Sequence, residues 1–393
     1  MTTEINLPKK TINKKLQSVS WIIFLIGLVL SILAFFIDKE RSIRNYNLIF
    51  TILVSIGIGN LFLVSLEYLS GAIWSTVIRR IPELFSSLIP ILALVGIFVL
   101  TNTHSIFHWT HSEAVQNDKI LQLKSPYLNQ EFLIIRYFVF FALWFAFYKI
   151  IINNSVNQDL NGDVKFTKSN SKWSAVFMPV FAFTLTFFSI DYIMSTEPHW
   201  YSTIFGVYYF SGTVLAALTT VTLSIVLLHE NGFLGNILKS DHFYNLGALL
   251  FAFVNFWAYT AFSQFLLIWY ANLPEESFWM INRWKNGWEI FSFILILGHF
   301  LIPYFALLSQ QAKSNLDRLK FISAWIFLMH YVDLYWLMMP SFYKELTFGW
   351  IEMSYFILMI GFLFVFFINR FNRLKNLIPI NDPKLKRSLE FHL

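Results

Sequence analysis

The sequence predicts an all-α, polytopic membrane protein of about ten transmembrane helices. Three observations carry that prediction. Only 13% of the 393 residues are charged, against roughly 25% in soluble domains. Hydrophobic residues make up 56% of the chain and the mean hydropathy is +0.57, too apolar for a water-facing surface. The apolar residues also come in blocks of about 20, the length a helix needs to cross a bilayer.

The first block, 19–37, follows Lys9, Lys10, Lys14 and Lys15. It is long enough to span and so reads as a helix and not as a cleavable leader. The second, 47–69, holds Ser55 and Gly59 four apart, which lets a neighbouring helix come close, and Glu67 near its inner edge. Blocks 84–101 and 133–152 flank an outer loop, Asn102–Glu131, whose histidines and aromatics predict an ordered cap. His104, His108 and His111 have spacings that suit a metal on a helix. With no cysteine and only Glu113 close by, an interfacial loop anchored by Trp109 is the stronger reading.

The polar stretch 153–173 predicts a flexible cytoplasmic linker between a first membrane half, 19–152, and a second membrane part, 174–369. Block 174–194 runs into Asp191–Tyr201, which carries two acids, a histidine and three aromatics. Block 204–229 ends on His229 and Glu230, and 243–270 contains Asn255, Tyr259 and Gln264. Block 289–309 contains His299 and Pro303. The proline lacks an N–H, so the carbonyl of His299 loses its helix partner and a kink is expected. Block 319–339 places His330 and Asp333 on one face, and 348–369 has Glu352 near its outer end. The segment 1–18 and the basic tail 370–393 complete the chain, the tail expected on the inner leaflet or on a partner.

An even number of spans puts both termini on one side. With the termini inside, inner segments hold 20 Lys and Arg and outer segments 9, so the positive-inside rule makes the termini cytoplasmic. The net charge of +6 is then a topology signal and not a nucleic-acid footprint. The absence of cysteine excludes thiolate-held iron–sulfur clusters, covalent c-type haem and disulfides. Any metal centres would belong to other subunits.

Placed by depth, the membrane-embedded polar residues form a ladder. Glu67, His229 and Glu230 lie low. Asn255, His299 and His330 lie in the middle, and Asp333, Glu352, Asp191 and Glu289 lie high. Chains of Asp, Glu and His across a bilayer are what proton relays use. His299 and His330, on consecutive antiparallel helices, would also suit a b-type haem pair, a less favoured reading. Asp191, Tyr192, Glu197 and His199 form the best candidate for a quinone head group, with acid and imidazole beside apolar residues.

Four features resemble a known family. They are Glu67-Tyr-Leu-Ser-Gly-Ala-Ile-Trp74 with Arg79-Arg-Ile-Pro-Glu83; His108-Trp-Thr-His111 leading to Lys124-Ser-Pro-Tyr-Leu-Asn129 and Phe132 to Arg136; Ser189-Ile-Asp-Tyr-Ile-Met-Ser-Thr-Glu-Pro-His-Trp-Tyr-Ser-Thr-Ile-Phe-Gly206; and the ten-span layout. Together they resemble the F subunit of bacterial alternative complex III, an NrfD-like membrane subunit of a quinol:electron-acceptor oxidoreductase. The resemblance implies two four-helix bundles, spans two to five and six to nine, flanked by spans one and ten. It implies the bacterial inner membrane and menaquinone or ubiquinone as the complex's substrate, with haems and iron–sulfur clusters on partner subunits. Those partners would be an iron–sulfur protein related to molybdopterin enzymes, multihaem and monohaem c-type cytochromes, a sibling C-type membrane subunit, small anchored subunits and a terminal oxidase. The expected role is a non-catalytic or quinone-interacting subunit that scaffolds the complex and offers a proton path. The alternatives are a proton-coupled secondary transporter or a passive anchor.

Overall fold

A computed structural model describes residues 11–392. Lys9 and Lys10, counted above among the inner charges, lie outside the described residues. Among the described residues there is helix and no strand, and ten helices are long and apolar enough to cross a membrane. Spans 1 to 5 are Lys14–Ile37, Lys39–Ser70, Arg80–Thr101, Gln130–Asn161 and Val164–Thr196. Spans 6 to 10 are Phe205–Glu230, Ser240–Ala271, Trp288–Ala306, Leu316–Ser341 and Trp350–Phe371.

Local chemistry sets the ends. Asp38 closes span 1 and caps span 2, its carboxylate accepting from the Arg41 amide. Gly71 then stops span 2 in the left-handed conformation at φ 69°, which a side chain would resist. Asn129 caps span 4 through the Phe132 amide.

Spans 2 to 5 pack as one group and spans 6 to 9 as another. The two groups join where span 2 meets span 6. Spans 2 and 6 are the shared core: 94% and 89% of their apolar windows are buried, against 22% for span 1. The expected close approach occurs at Gly59, where an added Cβ would lie 2.6 Å from the Thr213 carbonyl of span 6. Spans 1 and 10 flank the core and pack mainly on each other. Their backbones meet at two glycines. A Cβ on Gly27 would sit 2.5 Å from the Leu358 amide, and one on Gly361 would sit 2.5 Å from that of Phe24. Gly361→Leu is therefore expected to part these helices, at a cost of about 1–3 kcal/mol. Because the chain has no cysteine, an introduced cysteine pair across spans 1 and 10 reads this cleanly. Cross-linking should fall in the variant, and unchanged cross-linking would refute the close packing.

Two expectations are corrected. The segment 153–173 is not a flexible linker. It is a helical hairpin broken only at Gly162 and Asp163. Its amides and hydroxyls face one another: Asn154 Nδ2 donates to Ser169 Oγ at 3.1 Å and Asn170 Oδ1 at 2.9 Å, and Gln158 Nε2 donates to Thr167 Oγ1 at 2.7 Å. The tail, expected on lipid or a partner, folds onto the chain itself. Asp382 pairs with Arg79 at 2.7 Å, Asn381 Nδ2 donates to the Asp159 carbonyl at 2.6 Å, and the Ser388 carbonyl lies 3.0 Å from His242 Nε2. One end of the bundle thus carries the tail, and the other carries the 102–131 loop.

Candidate functional site

Seven carboxylates are buried among the described residues, and what holds each of them separates one from the rest. At the tail end, Arg79 takes Glu67 at 2.6 Å and Asp382 at 2.7 Å, while Arg80 takes Glu83 at 2.5 Å and Asp159 at 2.6 Å. At the loop end, Arg136 grips Asp191 with two nitrogens at 2.8 and 3.0 Å, and Tyr127 donates to the same carboxylate at 2.9 Å. Arg41 grips Glu352 with two nitrogens at 2.7 and 2.5 Å, helped by Asn45 and the Gly349 amide. All six pair with an arginine held in place beside them.

The seventh is Asp333. It accepts from the Tyr208 hydroxyl at 2.5 Å and the Trp257 indole N–H at 3.1 Å, and no cation pairs with it. Neutral donors support a carboxylate without locking it, so this group can carry a proton or release one.

His330 lies one turn away on span 9. Its Nε2 is 3.0 Å from Ser55 Oγ. Ser55 gives its own hydrogen to the Ile52 carbonyl at 2.7 Å, so it accepts from Nε2–H. That leaves the His330 Nδ1 lone pair without a partner among the described residues. Gly212 makes room for it: a Cβ there would meet Nδ1 at 3.1 Å and lie 4.0 Å from Asp333 Oδ2. The imidazole lone pair and the acid therefore share one small space.

His299 completes the cluster. It stacks on Trp257 with centroids 3.9 Å apart, and neither ring nitrogen has a partner among the described residues. A buried polar atom left unpaired costs about 1–3 kcal/mol, which marks such positions as functional or water-binding. His299 sits where Leu295–Leu301 winds as a π-helix just before Pro303. Pro303 has no N–H to continue the ladder, the Trp325 indole donates to the Gly298 carbonyl at 2.7 Å, and such wide turns recur at functional sites.

The other relay candidates lie apart from this cluster. Glu67 and Glu352 are clamped as described. Glu230 pairs with Lys320 at 2.6 Å in a half-exposed position. His229 packs edge-on against Phe243. Asn255 donates to its own helix at Phe251 and faces a cleft between spans 7 and 8.

The quinone candidates divide as well. Asp191 is committed to Arg136, and the Tyr192 hydroxyl is buried without a partner among the described residues. His199 Nε2 meets Asp118 of the 102–131 loop at 2.5 Å, and its Nδ1 lies 3.8 Å from Glu197. Lys124 ties the same loop to the Pro198 carbonyl at 2.6 Å. The hydrogen bond from His199 holds the Asp118 carboxyl below its usual range, and burial pushes Glu197 above its usual range, opposed by nearby Arg283. The signs separate the two. A depressed acid stabilises above its unfolded pKa and loses that contribution as pH falls through the folded value. The loop is thus expected to loosen only below the ordinary aspartate range of about pH 4. Hydrogen exchange of residues 102–131 against pH, corrected for intrinsic rate, should show this in the parent and not in Asp118→Asn. Equal behaviour of the two would contradict it.

The residues that single out Asp333 are Tyr208 and Trp257, which sequence reasoning did not select. No family model matches the chain, and no curated protein matches it in sequence.

Proposed function

We propose that this chain is an integral membrane subunit of a bacterial quinol:electron-acceptor oxidoreductase of the alternative complex III type, with both termini cytoplasmic. In this reading it scaffolds the assembly and moves protons through the Asp333, His330 and His299 cluster. One observation carries the proton role: Asp333 is the single buried carboxylate among the described residues that pairs with no cation. The motif stretches of the sequence support the family part of the reading. So does the division of the helices into two groups of four with two flanking spans.

The Asp191 region supports a structural role. Arg136 holds the acid and lies over the Tyr127 and Phe132 rings at 4.0 and 4.3 Å. It ties the loop end to spans 4 and 5.

A mild-detergent purification of the tagged chain, followed by an optical spectrum and mass-spectrometric identification of partners, tests the assignment. Haem-bearing and iron–sulfur subunits should copurify. A colourless chain without them would overturn the respiratory reading and favour a transporter or an unrelated anchor.

A further inference from the structure

The last turns of span 5, at the loop end, carry Phe183, Phe187, Ile190 and Met194 at a spacing that puts them on one helix face. Phe183 and Phe187 are exposed and face what would be lipid. Ile190 and Met194, one and two turns further on, instead line a cavity of about 340 Å³. Its other walls are Lys124 and Tyr127 of the 102–131 loop, with Trp200 and Tyr201. The Tyr127 ring lies 6.2 Å from that of Phe187, so the cavity continues the lipid-facing stripe. The apolar stretch 174–194 rises about 30 Å as a helix, which places Ile190 and Met194 at head-group level. The Tyr and Trp rings of the walls suit that depth.

Two hydrogen-bond donors of this cavity are under-used. Lys124 is half-buried, gives one hydrogen to the Pro198 carbonyl at 2.6 Å and lies 5.6 Å over the Tyr201 ring. No acid among the described residues pairs with it. Burial pushes its ammonium below the ordinary lysine value, and an anion beside it would oppose that shift. Trp200 is 2% exposed and stacks face to face on Trp279 at 4.1 Å, and its indole N–H has no partner among the described residues. The acids near by are engaged elsewhere: Arg136 grips Asp191, and His199 lies against Asp118 and Glu197. No carboxylate residue lines the cavity. An unbalanced cation and an unpartnered N–H call for an oxyanion. The exposed stripe that leads into the cavity calls for hydrocarbon.

We infer that this cavity binds the phosphate of an anionic phospholipid from the leaflet at the loop end. Lys124 and the Trp200 N–H take phosphate oxygens, and an acyl chain lies along Phe187 and Phe183. A zwitterionic lipid offers the same phosphate but adds an ammonium, for which the cavity has no carboxylate. The bound lipid fastens the 102–131 loop to the membrane surface. The site does not depend on the respiratory reading.

Native mass spectrometry of the full chain released from nanodiscs tests this, with phosphatidylglycerol and phosphatidylcholine of the same acyl chains. Phosphatidylglycerol should be retained under conditions that strip phosphatidylcholine, and inorganic phosphate should not displace it. Lys124→Gln should weaken retention about fivefold, the effect of one lysine at a charged surface, and Lys124→Arg should restore it. Trp200→Phe keeps a ring to stack on Trp279 but removes the N–H, so it should weaken retention as well. Melting temperatures identify the variants that fold, and if Lys124→Gln does not, Trp200→Phe carries the comparison.

Equal retention of the two lipids would overturn the inference, as would retention unchanged in a folded Lys124→Gln chain. Displacement by inorganic phosphate alone would also overturn it, since the site would then belong to a free anion. The assay needs no partner subunit, so its failure is distinct from failure of the copurification experiment.

Discussion

Arg79→Met is expected to cost about 3–5 kcal/mol and to leave little folded chain, because it strands two buried acids at once. The Arg79 guanidinium is 1% exposed and reaches Glu67 Oε1 with two nitrogens at 2.8 and 2.6 Å. It also reaches Asp382 at 2.7 Å and the Tyr68 hydroxyl at 2.8 Å. Methionine fills similar volume but offers no donor. Glu67 would keep only the Thr76 hydroxyl at 3.1 Å, and Asp382 would lose its ion pair to the segment just before span 3. Removing the stranded charges should reverse much of the loss. The triple variant Arg79→Met, Glu67→Gln, Asp382→Asn is therefore expected to melt well above Arg79→Met alone. Thermal melting followed by size-exclusion chromatography reads both. An Arg79→Met chain that melts like the parent would show that the network contributes nothing to the fold.

Asp333→Asn should do the reverse: spare the fold and remove the function. The partners of Asp333 are neutral, so no cation is left unpaired by the change. An asparagine oxygen can accept from Trp257 while its N–H₂ donates to the Tyr208 oxygen, since a hydroxyl turns readily from donor to acceptor. The expected stability change is within about 1 kcal/mol, typical of a hydrogen bond that is exchanged and not lost. Proton movement coupled to electron transfer in the assembled complex should fall at least tenfold, because asparagine cannot carry a proton. A variant that assembles and moves protons as the parent does would refute the relay and leave a scaffold.

These two expectations also mark what the sequence made legible. The ten spans could be read directly, because a bilayer demands a continuous apolar run for each crossing. An irregularity at His299 was legible too, from a proline four residues on, though the expected kink takes the form of a π-helical stretch, Leu295–Leu301. The ends of spans 4 and 5 were not. Asn154, Gln158, Thr167 and Asn170 have the composition of a loop, and only their pairing across a hairpin makes them helical. Least visible was the difference among the acids. Arg80 meets Glu83 three residues on, but Arg136 meets Asp191 from 55 residues away and Arg41 meets Glu352 from 311 away, so local sequence does not reveal that these two acids are clamped. Asp333 stands out only once every other buried acid has found its arginine. Tyr208 and Trp257 gave a faint signal as aromatics with polar edges inside apolar spans, which must find partners when buried. The many other Tyr and Trp of the chain drowned it.

The most direct test of the central claim is an infrared difference spectrum of the purified chain between high and low pH, wild type against Asp333→Asn. If Asp333 is the buried carboxyl that gains and loses a proton, wild type will show a protonated-carboxyl band that responds to pH and shifts in heavy water. Asp333→Asn will lack that band, while Asp191→Asn, if it folds, will retain it. A band that survives in Asp333→Asn, or no such band in wild type, would contradict the account.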